Sequence, residues 1–598
     1  MTKVPVKKGG LYMSLEALAA MSHQYGSDPQ FVLAGGGNTS FKDGDVLYIK
    51  GSGVSLAEIR TDQFVRMDRP SLTRLWGKNY PDDEKEREAA VLSDLLAARL
   101  PGEEKKRPSV ETLLHHLLPQ PYVLHVHPAS INGLTCSRDG ERAMRMLFNE
   151  AVFVPSTKPG YVLAVQCRRL VDRYINRYAR YPRILFLQNH GVFFAGESPE
   201  EIDRLVSMTQ RRMEGIQKRL PDRSEAAFDA ERAASVLPAV RMLYGGVHAK
   251  VVFSANAEIL RFAKSREAFA PLMQPYTPDQ IVYCKAKPLF ISVSGGADPV
   301  PALMRGFSEY TSENGYAPKV IVVEGLGMFT CGKTRKEAAT AAQVFTDAAY
   351  TVVYTEGFGG PLPMDDALVD FIVHWEAESY RAGLAAGSEN DARCAGKIAL
   401  LCNVGRTYGE AIATELAAAG AYLLLAGGDR TVAEELSDNL NETYGNCCSV
   451  ISSDLSTKGA MRRTVTDAIL FCGGLDLVLW FSDDDKRDNA ADDAAFRYLC
   501  GCAGEKMAIE HQVTPSYLTD IIDVGGMCSG LDEIAKSAIA NGTKVNAIRP
   551  SKLSRTPMGR ACHSRDVALA LDYLIEQQFE TALTLPVSGG ERLVYHNR

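Results

Sequence analysis

The stretch PYVLHVHP (residues 121–128) reads as a strand that ends in two histidines. Side chains two apart on a strand share a face, so His125 and His127 reach toward one point. A second strand, RILFLQNHG (residues 183–191), ends by placing His190 before Gly191. Three neutral imidazoles around one ion, with a fourth position open, make the ligand set of a catalytic zinc site. Taken singly, a histidine is more often a structural residue than a ligand. The HxH pair together with a second strand-terminal histidine is what points to a metal.

Working upstream, PSVE (residues 108–111) opens a short helical segment, ETLLHHLLP, stopped by Pro119. Ser109 is placed to cap it, and Glu111 lies in the first turn, where the helix dipole favours an anion. The plain reading of Glu111 is as a partner for that dipole. GGGNTS (residues 35–40) follows the apolar run FVLA, and KGSG (residues 50–53) follows the strand VLYI. Glycines let backbone approach a ligand closely, and Asn and Ser side chains offer donors to phosphate oxygens. Either loop alone is a weak signal, because most such loops are hairpin turns.

Farther out, the chain of 598 residues is too long for one core. Apolar β-branched runs alternate with helical patterns along most of it, which is an α/β signature. Two polar, alanine-rich stretches, residues 221–236 and 385–395, read as connectors. They divide the chain into blocks over residues 1–220, 221–390 and 391–598. Basic and acidic residues, 66 against 73, give a net charge of −7, which argues against a dedicated nucleic-acid binder. No run of about 18 apolar residues occurs, so no membrane span is expected. The thirteen cysteines show no paired CxxC and fit free thiols in a reducing cytoplasm.

GGGNTS, KGSG, PSVE followed by LH, HVHP and LQNHG stand in the order and rough spacing of one family. Residues 10–220 resemble the class II (zinc-dependent) aldolase/adducin family. The resemblance implies an α/β/α domain with His125, His127 and His190 as zinc ligands, another divalent metal being an option. It implies Glu111 as acid/base, also touching the metal when substrate is absent. Asn38, Ser52, Gly53 and Ser109 match its phosphate-binding positions. Its sugar-phosphate epimerases usually carry Asp where Glu111 stands, so the glutamate favours carbon–carbon cleavage. Its aldolases often have a second serine at the position of Val110 and use a tyrosine as a second acid. Tyr161 is the candidate for that role here.

Two other motifs compete. GMFTCGKT (residues 327–334) satisfies GxxxxGK[ST], after a strand and before a helix. Its bulky interior argues against a phosphate loop and makes Lys333 a surface lysine at a helix start. Tyr283 and Lys287 fit YxxxK, but no dinucleotide loop precedes them. The middle block resembles the connecting region of long bifunctional rhamnulose-phosphate aldolase/dehydrogenase chains.

The C-terminal block resembles the short-chain dehydrogenase/reductase fold, a Rossmann-like, doubly wound parallel sheet. Where that family has TGxxxGxG, residues 402–409 read CNVGRTYG, and the YxxxK pair is missing. Gly427 stands where an acidic residue would hold the adenosine ribose. NAD and NADP are therefore expected not to bind. The acidic run at Asp483 is read as a solvated loop.

The resulting expectation is a cytoplasmic, homo-oligomeric zinc lyase. It would cleave a sugar phosphate, such as a ketose 1-phosphate, through a metal-stabilised enediolate, with no nucleic-acid or membrane partner. Its rivals are a zinc-dependent 3-oxo sugar-acid phosphate decarboxylase, a bifunctional aldolase and NAD(P)-dependent oxidoreductase, and a non-catalytic scaffold.

Overall fold

The computed structural model describes residues 8–293, 295–375, 392–452, 454–482, 489–525 and 528–590. The acidic run at Asp483 and much of the second connector lie outside them. Two compact units emerge, each assembled from three stretches of chain. The first takes residues 1–226, 256–288 and 340–386, and the second takes 227–255, 289–339 and 387–598. The middle region, expected as a block of its own, is shared between them.

In the first unit, β1 (Asn38–Asp43), β2 (Val46–Lys50), β3 (Phe64–Asp68), β4 (Tyr122–Val126), β5 (Ala151–Val154), β6 (Ile184–Leu187) and β7 (Gly191–Gly196) form one sheet. Their order is β3-β2-β1-β4-β7-β6-β5, with only β5 and β6 running parallel. Side chains alternate between two cores, as the two-residue period requires. Leu124, Val126, Phe186 and Phe194 pack with Leu18 and Ile202 on one face. Val123, Leu185, Leu187 and Phe193 pack with Leu113, Leu163 and Val171 on the other. That is the expected α/β/α arrangement. The register sets Asn38 and Phe193 on either side of His125.

The second unit holds two sheets. β8 (Lys250–Ser254), β9 (Leu289–Ile291), β10 (Val320–Val323) and β11 (Gly327–Gly332) pair in the order β8-β11-β10-β9. β12 (Ile398–Cys402), β13 (Tyr422–Ala426), β14 (Cys448–Ser452), β15 (Leu477–Phe481), β16 (Thr519–Val524), β17 (Thr543–Pro550) and β18 (Thr584–Val587) follow. They form a parallel sheet ordered β14-β13-β12-β15-β16-β17-β18. The strand order reverses between β12 and β15, which is the doubly wound dinucleotide-fold topology.

The GxxxxGKT motif has a structural explanation. Gly327–Gly332 is strand β11, fully buried, so its backbone is in a ladder and wraps no phosphate. It repeats the β6–β7 hairpin of the first unit at a constant offset. Pro182, Gly191, Phe193, Gly196 and Glu201 recur as Pro318, Gly327, Phe329, Gly332 and Glu337. Glu201 accepts from the Glu197 backbone N–H, and Glu337 accepts from that of Lys333. Leu326 stands where the first copy has His190. The repeat is far longer than the short solenoid periods and shows only once both hairpins are seen.

A buried charge cluster ties the two sheets of this second unit together. Arg241, on the helix Ala230–Gly245, is fully buried. It donates to both Asp476 oxygens, at 3.0 and 2.7 Å, and to Glu510 at 3.1 Å. Burial and the Asp476 charge push the Glu510 carboxyl up to about 8, against the attraction of Arg241. Among the described residues, no helix is long and apolar enough to cross a membrane.

These contacts predict two stability effects. Arg241→Met should cost about 3–5 kcal/mol, because it leaves the buried Asp476 carboxylate without its cation. Folded Glu510 keeps a proton that the unfolded chain releases near its ordinary 4.5, so stability should fall as pH rises from there toward 8. Unfolding midpoints of Glu510→Gln across that range should show a flatter pH slope than the native chain; an identical slope would contradict the assignment.

Candidate metal centre

His125 comes from β4, His127 from the turn after it, and His190 from the tight turn between β6 and β7. That turn is shaped locally. Asn189 takes a left-handed φ of 56°, which asparagine tolerates, and its side chain donates to the Leu362 carbonyl at 2.9 Å. Gly191 must be glycine, because a Cβ there would sit 2.5 Å from His127 Cδ2 and 2.6 Å from the Val126 carbonyl.

The three imidazoles offer ligand atoms that all lie within 4.8 Å of one another. His125 Nε2 and His127 Nε2 are 2.9 Å apart. Each ring is oriented through its other nitrogen. His125 Nδ1 meets the Val192 carbonyl at 3.0 Å, and His127 Nδ1 meets Asp279 Oδ2 at 2.6 Å. Those oxygens accept, so both Nδ1 atoms donate and both Nε2 atoms turn lone pairs toward each other. Two facing lone pairs at that distance repel. A divalent cation between them removes the conflict, so the donor set fits a zinc-type ion.

Glu111 closes the fourth side. Its Oε1 stands 3.1 Å from His125 Nε2 and 3.4 Å from His190 Nε2. Burial raises the Glu111 carboxyl, and the Asn38 amide, donating to Oε2, works against it by favouring the carboxylate. Burial holds His190 down to about 3, so its ring is neutral at physiological pH. The helix differs from expectation. It runs only over Thr112–Leu117, and Glu111 precedes it as the capping residue without capping through its side chain. Ser109 instead accepts from the Glu111 backbone N–H at 3.2 Å. The turn thus aims the carboxylate at the imidazoles rather than at helix amides.

Around this centre lies a cleft of about 720 Å³, lined by Asn38, Lys50, Ser52, Gly53, Arg107, Ser109, Glu111 and His190 among others. Ser52, Gly53 and Ser109 therefore face the same space as the candidate metal ligands. Asn38 faces it too, but its amide donates to Glu111 Oε2 at 2.6 Å and to Ser109 Oγ at 3.2 Å. Its oxygen accepts from His115 Nε2, while His115 Nδ1 meets Ser40 Oγ at 2.7 Å. Tyr161 opens the helix Tyr161–Tyr178 and lines an adjoining groove with Glu88, Leu92 and Phe371. That groove shares Val110, Gly160 and Trp375 with the cleft.

Sequence reasoning missed Asp279, His115, Arg107 and Trp375. Only the HH dipeptide at His115 and the basic run before Pro108 carried any signal. Tyr283, the residue of the YxxxK match, sits near this site, accepting from the Gly35 backbone N–H at 3.2 Å.

Residues 16–214 match the family described as Class II Aldolase and Adducin N-terminal domain, and residues 231–380 match Aldolase class II, second domain. The chain carries a class II aldolase/adducin domain. With it is fused a domain of doubly wound, dinucleotide-fold topology. A curated relative, the Uncharacterized oxidoreductase YuxG of Bacillus subtilis (strain 168), is 25% identical over 514 residues, spanning 78% of this chain and 72% of that protein. Among solved structures, the N-terminal class II aldolase domain of a conserved Thermoplasma acidophilum protein is 25% identical with a TM-score of 0.29, covering 36% of this chain and 97% of that one. The NADH-dependent reductase A1-R' complexed with NAD is 18% identical with a TM-score of 0.29, covering 33% of this chain and 97% of the other.

In the doubly wound sheet, the crevice at the carboxyl ends of the strands is lined by Thr407, Tyr408, Ser482, Gly525 and Ser551. Arg406, in the loop after β12, donates to the Phe481 carbonyl at 2.9 Å and pairs with Asp492 at 2.8 Å. Its guanidinium therefore lies across the strand-order reversal, where a dinucleotide fold normally keeps bare backbone amides.

The geometry predicts that His125→Ala loses about one bound zinc per chain. Gly191→Ala, which adds only a methyl, should weaken zinc binding as well, because it pushes the His127 ring aside. Elemental analysis of purified protein checks both; full zinc content in His125→Ala would remove the assignment.

Proposed function

We propose that the chain is a zinc-dependent lyase of the class II aldolase type, cleaving a carbon–carbon bond in a phosphorylated ketose. The observation that carries this reading is the convergence of three imidazoles and Glu111 in a cleft also lined by Lys50 and Arg107. His125, His127, His190 and Glu111 would hold the ion. Bound there, zinc supplies a Lewis acid for the charge that develops on substrate oxygens as the bond breaks.

The chain's own residues divide the remaining work. Ser52, Gly53 and Ser109 line the wall where a phosphate would sit, and Lys50 and Arg107 make that wall cationic. Anchoring the phosphate fixes the reacting carbon relative to Glu111. Glu111, its Oε2 held by the Asn38 amide, is placed to take a proton at the carbanionic carbon and return it. The Asn38 bond to Oε2 leaves Oε1 as the atom that exchanges the proton. Tyr161, in the adjoining groove, is the candidate for the second acid at the departing aldehyde. The same chemistry would serve a decarboxylase, and assaying for CO₂ against an aldehyde product separates the two.

We propose that the dehydrogenase-like domain binds neither NAD nor NADP. The Arg406 bonds to Phe481 and Asp492 support this reading, since they fill the loop that would receive a pyrophosphate. A second reading, a bifunctional aldolase and oxidoreductase, is favoured by the name of the Bacillus subtilis relative. Calorimetric titration of the full chain with NADH and NADPH decides between them, low-micromolar binding supporting the second.

Glu111→Gln tests the lyase mechanism. The variant should lose roughly 10²-fold or more in turnover of a ketose 1-phosphate while remaining folded. Near-native turnover would move the proton transfer to another group.

A further inference from the structure

We propose that Asp279 is the positioning residue of the metal centre, holding His127 in the tautomer that presents Nε2 to the ion. The inference rests on the zinc-site reading above. All four candidate ligands lie in the stretch matched to the first aldolase domain. Asp279 lies in the stretch matched to the second. The second domain would then complete the chemistry of the first, a role that neither sequence match assigns to it.

Several observations converge on this carboxylate. Its Oδ2 is 2.6 Å from His127 Nδ1, and both side chains are nine-tenths buried. A carboxylate is the strongest acceptor an imidazole N–H can find in a protein interior. It fixes ring orientation and raises the basicity of the opposite nitrogen. His125 has only the Val192 carbonyl in the equivalent place. The two rings are thus held by partners of unequal strength, and His127 is the one tuned by a charge.

The supporting structure is specific. Asp279 sits on the helix Pro278–Cys284, capped by Thr277, whose hydroxyl accepts from the Gln280 N–H. Buried Gln280 accepts in turn from the Tyr276 N–H at 2.9 Å. At the other end of the helix, Tyr283 meets the Gly35 backbone. The glycine cluster receives the carboxylate: a Cβ on Gly36 would lie 2.9 Å from Asp279 Oδ2 and 3.6 Å from His127 Nδ1. Gly36 therefore has a structural reason to be glycine that needs no phosphate.

Zinc affinity of the full-length chain, measured by competition against a chromophoric chelator, is the test. Asp279→Asn and Asp279→Ala should weaken zinc about 10–100-fold. Asp279→Glu should recover part of that loss, and Gly36→Ala should reproduce it. The unfolding midpoint of each zinc-free variant should match that of the zinc-free native chain, which a purely structural role would not allow. Native affinity in Asp279→Asn and Asp279→Ala, with zinc lost from His125→Ala, would overturn the proposal and leave the metal centre standing. Absence of zinc binding by the native chain would overturn both.

Discussion

Two imidazole nitrogens, Nε2 of His125 and Nε2 of His127, face each other across 2.9 Å with lone pairs directed inward. Such a contact is repulsive without a cation, and much of the first unit is arranged to enforce it. The β1–β4–β7 register brings Asn38 and Phe193 to either side of His125. Phe193 stacks on the His125 ring at 4.0 Å and limits its rotation. Val192 and Asp279 fix the tautomers. Gly191 supplies the empty space that lets two rings approach one turn of backbone. Changing any of these moves a ligand atom, whatever else it does to the fold.

A good deal of this was legible in the sequence. HVHP at a strand end and NHG at a strand-to-strand turn express a local rule, because the period of a strand dictates which side chains share a face. The alternating pattern of strands and helices likewise announced an α/β chain, read as three blocks, whereas the middle residues are shared between two units. The misses have separate physical causes. Asp279 meets His127 across more than a hundred and fifty residues, and no local pattern encodes such a contact. GMFTCGKT matches the spacing of a phosphate loop, but its bulky interior argued against that reading, and it is a buried strand. Glu111 was expected within a helix, but the helix starts one residue later, and the short turn frees its side chain for the imidazoles.

Charge is used differently in the two units. In the first, buried charge and lone pairs are left facing an open cleft, an arrangement that favours a ligand. In the second, buried charge is satisfied internally. Arg241 is matched by Asp476 and by the Glu510 carboxyl beside it. A buried cation with complete partners contributes to structure and leaves nothing over for a ligand. That contrast is why the proposed lyase chemistry is placed in the first unit.

X-ray absorption at the zinc edge of the purified native chain tests the central claim most directly. Three imidazoles and a carboxylate predict a first shell of nitrogen and oxygen only, at about 2.0–2.2 Å, with the outer-shell pattern of imidazole rings. A shell containing sulfur at about 2.3 Å, drawn from the chain's cysteines, would contradict the account.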